Sequence, residues 1–209
     1  MSASVYLLRH GEREPIPEGE IGNDSLLTEH GLASSRDFGA SIEGVVIQIK
    51  SSPIERCIQT AEMIAQASNF AESEIKQCTT LGAPGILIED GALAWKHWQE
   101  KGAAAVNHYL LHGNERWSGF KDLSHATDQM MGLVKQQLAS MTNEQVAIWV
   151  THDTVLAAIA ARAHASAFGM SDWPGYLGYL AFKGESDMAL ALQYQQYPEW
   201  PRGAARKHK

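Results

Sequence analysis

Apolar and polar positions follow two rhythms along the chain. Short runs rich in β-branched and aromatic residues, SVYLL (4–8), VVIQI (45–49) and QVAIWV (145–150), predict strands. GYLGYLAF (175–182) and MALALQY (188–194) predict a closing hairpin turned by KGESD (183–187). Between these runs the apolar period lengthens to that of a helix. From Thr28, placed as an N-cap, Leu32, Phe38 and Ile42 approximate one face. From Pro53, favoured in a first turn, Ile54, Cys57, Ile58, Ala61, Ile64 and Ala65 form a stripe. Leu123, Ala126, Met130, Leu133, Val134 and Leu138 form another. After Asp153, TVLAAIAARA is apolar nearly all round, as a buried helix is.

Strands alternating with helices predict an α/β three-layer sandwich, its central sheet largely parallel and flanked by helices. The expectation is a single domain over 1–209. The segment at about 82–120 breaks the rhythm with GAPG, then Trp95, Trp98, Trp117 and several histidines. It reads either as a small inserted helical cap over a site or as an extra helical flank of the core.

The chain has 209 residues, 44% of them hydrophobic, enough for a substantial core. With 17 Lys+Arg against 24 Asp+Glu, its net charge of -7 argues against a nucleic-acid or membrane-surface partner, which excess cations would attract. The basic end RGAARKHK reads as a solvated terminus. Cys57 and Cys78 form no CxxC pair and fit free thiols in a reducing compartment. The first apolar run ends at Leu8 in Arg-His, unlike a signal peptide, and no run approaches membrane-spanning length. The expected location is cytoplasmic.

Charge gathers where strands end. LLRHGER follows the first strand, KSSPIERCIQTA (50–61) follows the second with Arg56 in the opening turn of its helix, and WVTHDTVLAA (149–158) follows the third. Ligands of open α/β sheets bind beyond the carboxyl ends of strands. The three motifs therefore bring Arg9, His10, Arg13, Arg56, His152 and Asp153 to one sheet edge.

At these residues the chain resembles the histidine phosphatase superfamily. RHGERE-P, LTEHGLASSRDFG, SSPIER…QTA and a late His-Asp occur in the family's order, each in a strand-to-helix context. The spacing Arg-His-Gly-x-Arg-x-Pro with the late His-Asp is closer to the acid-phosphatase branch than to the phosphoglycerate-mutase branch.

The implied chemistry is phosphomonoester hydrolysis through a phosphohistidine on His10. A neutral imidazole can attack phosphorus in line, and nearby guanidinium groups keep the ring neutral. Arg9, Arg13 and Arg56 would clamp phosphoryl oxygens with forked donors, and His152 would donate to the phosphoryl group as charge develops. By the resemblance, Asp153 gives a proton to the leaving oxygen. It is equally placed to cap the following helix, and Glu89, Asp90 and Glu12 are rival acids, Glu89 above all because the mutase branch draws its acid from that part of the chain. No cofactor and no metal is expected, and the partner is a small phosphorylated substrate. His108 and His112 sit at i, i+4 in HYLLH but have no third ligand in the sequence pattern. Trp95 and Trp98 read as core or as a surface on which substrate stacks. Alternatives to hydrolysis are a mutase-like phosphotransferase and a non-catalytic phospho-ligand binding module. No Gly-x-Ser-x-Gly elbow, Walker loop or Cys-x5-Arg loop is present.

Overall fold

In the computed structural model, which describes residues 1–17, 19–163, 168–184 and 190–195, a six-stranded mixed sheet lies between two layers of helices. The elements are β1 (Ser4–Arg9), α1 (Glu29–Ser41), β2 (Val45–Ser51), α2 (Glu55–Ala67), β3 (Lys76–Gln77), α3 (Gly91–His112), α4 (Leu123–Ala139), β4 (Gln145–Thr151), α5 (Asp153–Ala163), β5 (Tyr179–Gly184) and β6 (Leu190–Gln195). The strand order is β3-β2-β4-β1-β5-β6. The first four in that order run parallel, while β5 is antiparallel to both β1 and β6. This is the layered, largely parallel architecture the alternation predicts.

Burial explains the central strands. In β1, Val5, Leu7 and Leu8 are all fully buried, because helices cover both faces of the strand. Leu8, Ile49, Ile148 and Val150 pack with the α1–α2 layer through Phe38, Ala61 and Ile64. On the other face Val5, Leu7, Ala147 and Trp149 pack with α3, α4 and α5. β2, nearer the edge, instead alternates, and Val45 and Ile47 are exposed.

The helix starts follow their caps. The Thr28 side chain accepts from Gly31 N, and the Asp90 side chain accepts from Ala92 N and Leu93 N. α2 begins after Ile54 with no side-chain cap. On α4 the buried positions are Leu123, Ala126, Met130 and Val134, and Leu133, expected in that stripe, is 37% exposed because the buried face is narrower. β5 begins at Tyr179 rather than near Gly175, since the intervening residues turn back toward β1: Leu177 adopts φ 57 and Gly178 accepts from Arg9 N. The expected hairpin turn lies largely outside the described residues, as does the basic C-terminal stretch.

The segment at 82–120 does two things. Ile86, Leu87, Val106, Leu110 and Phe120 join the core. Its helix α3 is broken at Gly102 (φ 79, ψ 163), a left-handed conformation that glycine adopts without steric cost, and both arms border the cleft described below. Among the described residues, no helix is long and apolar enough to cross a membrane.

Candidate active site

Strand register builds the site. In the parallel pair β1–β4, Arg9 stands opposite Thr151, and Ser51 of β2 stands opposite Val150. The next residues, His10, His152 and Ser52, therefore emerge side by side at the carboxyl edge. Backbone bonds carry the ladder past the strands, from His10 N to Thr151 O at 3.0 Å and from Ser52 N to Val150 O at 2.9 Å. The rings of His10 and His152 stand 5.6 Å apart. They border one cleft of about 680 Å³ together with Arg9, Arg13, Arg56 and Asp153. All six residues singled out by sequence thus meet.

His10 is 2% exposed and held in one orientation. Its Nδ1 donates to its neighbour Gly11 O at 2.8 Å, so the lone pair lies on Nε2. Arg56 Nε donates to that Nε2 at 3.1 Å. Burial, then the charges of His152, Arg9 and Arg56, hold His10 well below the ordinary histidine pKa, and its ring is neutral. Gly11 N donates to Thr60 Oγ1 at 3.0 Å, which anchors the loop behind the histidine to α2.

Arg56 spans the site from the first turn of α2. Besides His10, it reaches Gly22 O at 2.6 Å and His152 Nδ1 at 3.4 Å. Since Arg56 donates to Nδ1, His152 carries its proton on Nε2, 3.0 Å from Ser52 Oγ. Burial and then the Arg56 charge lower the His152 pKa to about 4.

Arg9 donates to Pro174 O at 2.6 Å, lies 4.2 Å over the Tyr176 ring and pairs with Asp153 at 3.2 Å. Its Nε is buried without a partner among the described residues. Asp153 Oδ1 accepts from Thr154 N at 2.9 Å, and Oδ2 accepts from Trp173 Nε1 at 3.3 Å. Arg13 borders the cleft, donates to Glu14 O and adds a charge that disfavours further cations near Arg56.

The rival acids stand elsewhere. Glu89 pairs with Arg116 and does not border the cleft, Asp90 caps α3, and Glu12 binds Thr28 and His30. Glu20, unremarked in the sequence, does border it. Cys57 is fully buried beside His152, and burial pushes its thiol up to about 12, so it is no nucleophile. The His108 and His112 rings lie 5.0 Å apart, and among the described residues no cluster of metal-ligating type forms.

Sequence reasoning missed Ser52, Gly82, Trp173, Pro174 and Tyr176. Ser52 was visible inside SSPIER. Gly82 is needed for space: a Cβ there would lie 2.5 Å from His152 Nε2 and closer still to Ser52 Oγ.

The family model described as histidine phosphatase superfamily (branch 1) matches residues 5–174, which include every residue of the cluster from Arg9 to Asp153. The chain belongs to the histidine phosphatase superfamily. Solved structures resemble this superfamily member over nearly its whole length. A mycobacterial glucosyl-3-phosphoglycerate phosphatase is 16% identical with a TM-score of 0.62, covering 94% of this chain and 98% of that one. A mutant phosphoserine phosphatase of Entamoeba histolytica, in complex with phosphoserine, is 17% identical with a TM-score of 0.58, covering 92% and 96%. The protein histidine phosphatase SixA complexed with tungstate is 14% identical with a TM-score of 0.53, covering 93% and 97%. At these identities the likeness shows the shared histidine phosphatase fold. No curated protein matches the chain.

Proposed function

We propose that the protein hydrolyses small phosphomonoesters through a covalent phosphohistidine on His10, without a metal ion. The observation that carries this reading is the polarity of His10. Its Nδ1 proton is committed to Gly11 O, and its Nε2 lone pair accepts from Arg56 in a cleft that Arg9 and Arg13 also border.

The incoming phosphoryl group takes the place of Arg56 on Nε2, and its oxygens receive donors from Arg56, Arg13 and the Nε of Arg9, which has no partner among the described residues. His10 Nε2 attacks phosphorus, the P–O ester bond breaks, and Asp153 protonates the departing oxygen. Water then attacks the phosphohistidine, giving its proton to Asp153 as the P–N bond breaks and inorganic phosphate leaves. His152 donates from Nε2 to the phosphoryl oxygens in both steps. Phosphate-monoester hydrolysis is among the slowest uncatalysed reactions, so positioning and charge neutralisation supply most of the acceleration. With the acid directly after the second histidine, this arrangement is acid-phosphatase-like.

Rapid quench into alkaline detergent after mixing with an aryl phosphate radiolabelled at phosphorus tests the reading. The expected result is an acid-labile, base-stable adduct on His10, and free phosphate equal to the alcohol released. His10→Ala should lose both adduct and turnover with an unchanged circular dichroism spectrum. Turnover retained in that variant would refute the mechanism, and an isomerised phosphoester as product would assign a transferase.

A further inference from the structure

From the cleft beyond the phosphoryl site, we infer that the enzyme takes phosphate esters of apolar, aryl-bearing alcohols and rejects alcohols carrying a second anionic group. The inference rests on the hydrolase reading above, which places the phosphoryl group at His10.

Charge is unevenly spread in the cleft. Its cations are Arg9, Arg13 and Arg56: Arg56 donates to His10 Nε2, Arg9 pairs with Asp153 next to His152, and Arg13 follows His10 on the same loop. They therefore belong to the phosphoryl end. No lysine and no further arginine borders the cleft among the described residues, and its carboxyl groups are Asp153, which pairs with Arg9 and serves as the proton donor, and Glu20. A substrate carboxylate or second phosphate would enter without a further cation to replace its water, and would face the Glu20 carboxylate.

The rest of the wall is mainly apolar and aromatic, with Asn23, Asn107 and Thr154 as its uncharged polar side chains. Trp95 and Trp98, one turn apart in the first arm of α3, stack with ring centres 6.1 Å apart and an interplanar angle of 24°. Trp98 lies in turn 5.7 Å from Phe120, whose ring is fully buried. Asp90 caps the start of this arm, and the bridge between Ile88 and Phe120 ties its root to the core. The aromatic ladder is thus held from below, while Trp95, at its outer end, is only partly buried and borders the cleft. Trp173 borders the cleft beside Asp153, where the leaving oxygen departs. At about 680 Å³ the cleft has room for a phosphate and a ring system together.

Two measurements separate this inference from the hydrolase reading. The first compares kcat/KM for 2-phenylethyl phosphate, ethyl phosphate and 3-phosphoglycerate, whose leaving groups are all alkoxides. The expected order is 2-phenylethyl above ethyl by about tenfold or more, with 3-phosphoglycerate last. Trp95→Ala should lower the value for the phenylethyl ester about tenfold more than for the ethyl ester. The second measures binding of non-hydrolysable 2-phenylethylphosphonate, methylphosphonate and phosphonoacetate by calorimetry, with the same order expected. Turnover with 3-phosphoglycerate preferred, or a phenylethyl preference untouched in Trp95→Ala, would overturn the pocket inference and leave the hydrolase standing. Tight binding of phenylethylphosphonate together with no turnover of any of the three esters would uphold the pocket and overturn the hydrolase.

Discussion

Replacing Asp153 by Asn removes the proposed proton donor while keeping size and shape. The carboxylate now divides its work, with Oδ1 accepting from Thr154 N and Oδ2 serving Arg9 and Trp173. An Asn amide has one acceptor oxygen, so it satisfies one of these sets and turns an NH2 group toward the other. The stability cost should be about 1–3 kcal/mol, that of a buried donor left unpaired. Thermal unfolding measures this directly, and assays at 25 °C then report on folded enzyme. The catalytic cost depends on the leaving group. General acid catalysis contributes about 10²–10⁴-fold, and an alkoxide needs it. 4-Nitrophenolate departs unaided. Single-turnover rates should therefore fall about 100-fold or more with ethyl phosphate and less than about fivefold with 4-nitrophenyl phosphate. Glu89→Gln, altering an exposed carboxylate paired with Arg116 outside the cleft, should change neither by more than about twofold. Equal losses on both esters in Asp153→Asn would refute the assignment, and a selective alkyl loss in Glu89→Gln would transfer the role.

Gly82→Ala should cost about 1–3 kcal/mol through overpacking, because its backbone is extended (φ 165) and only the Cβ finds no room against His152 and Ser52. kcat should drop tenfold or so as His152 is displaced, and a variant with wild-type kcat and melting temperature would contradict the packing. Acid should weaken the fold through His152. Its folded pKa of about 4 lies below the ordinary 6.5, so the unfolded chain binds the proton first. That contribution is fully present above pH 6.5 and is lost as pH falls toward 4, by a total of about 3 kcal/mol. Urea unfolding across this range should show a shallower pH slope in His152→Gln, and parallel slopes would rule out the burial argument.

The parts of this structure legible in sequence are those set by local chemistry. Thr28 caps α1 because its side chain reaches Gly31 N within one turn, and β1 and β4 read as strands because helices bury both their faces. The six charged and histidine residues were legible because strand ends in parallel sheets converge. What stayed hidden depends on contacts between distant segments. Arg56 reaching Gly22 O, Arg9 reaching Pro174 O and Trp173 reaching Asp153 join pieces 34, 165 and 20 residues apart, with no local pattern to announce them. The segment at 82–120 was ambiguous because its residues serve both the core and the cleft, so neither a clean amphipathic stripe nor a polar loop results.

Register links these two kinds of information. Side chains alternate faces along a strand, so a slip of one residue between β1 and β4 would turn one of the two histidines away from the other. Three features oppose that slip. Val5, Leu7 and Leu8 divide between cores on opposite faces of the sheet, and the His10 N to Thr151 O bond extends the ladder to the residue that would act. Thr151 Oγ1 meanwhile donates to Leu81 O at 2.6 Å, drawing Gly82 against His152. The same apolar pattern that makes β1 and β4 central strands thereby sets the 5.6 Å between the imidazole rings. Catalytic geometry here is a property of the core, and a core substitution that preserved stability but shifted β4 would still separate His152 from Arg56.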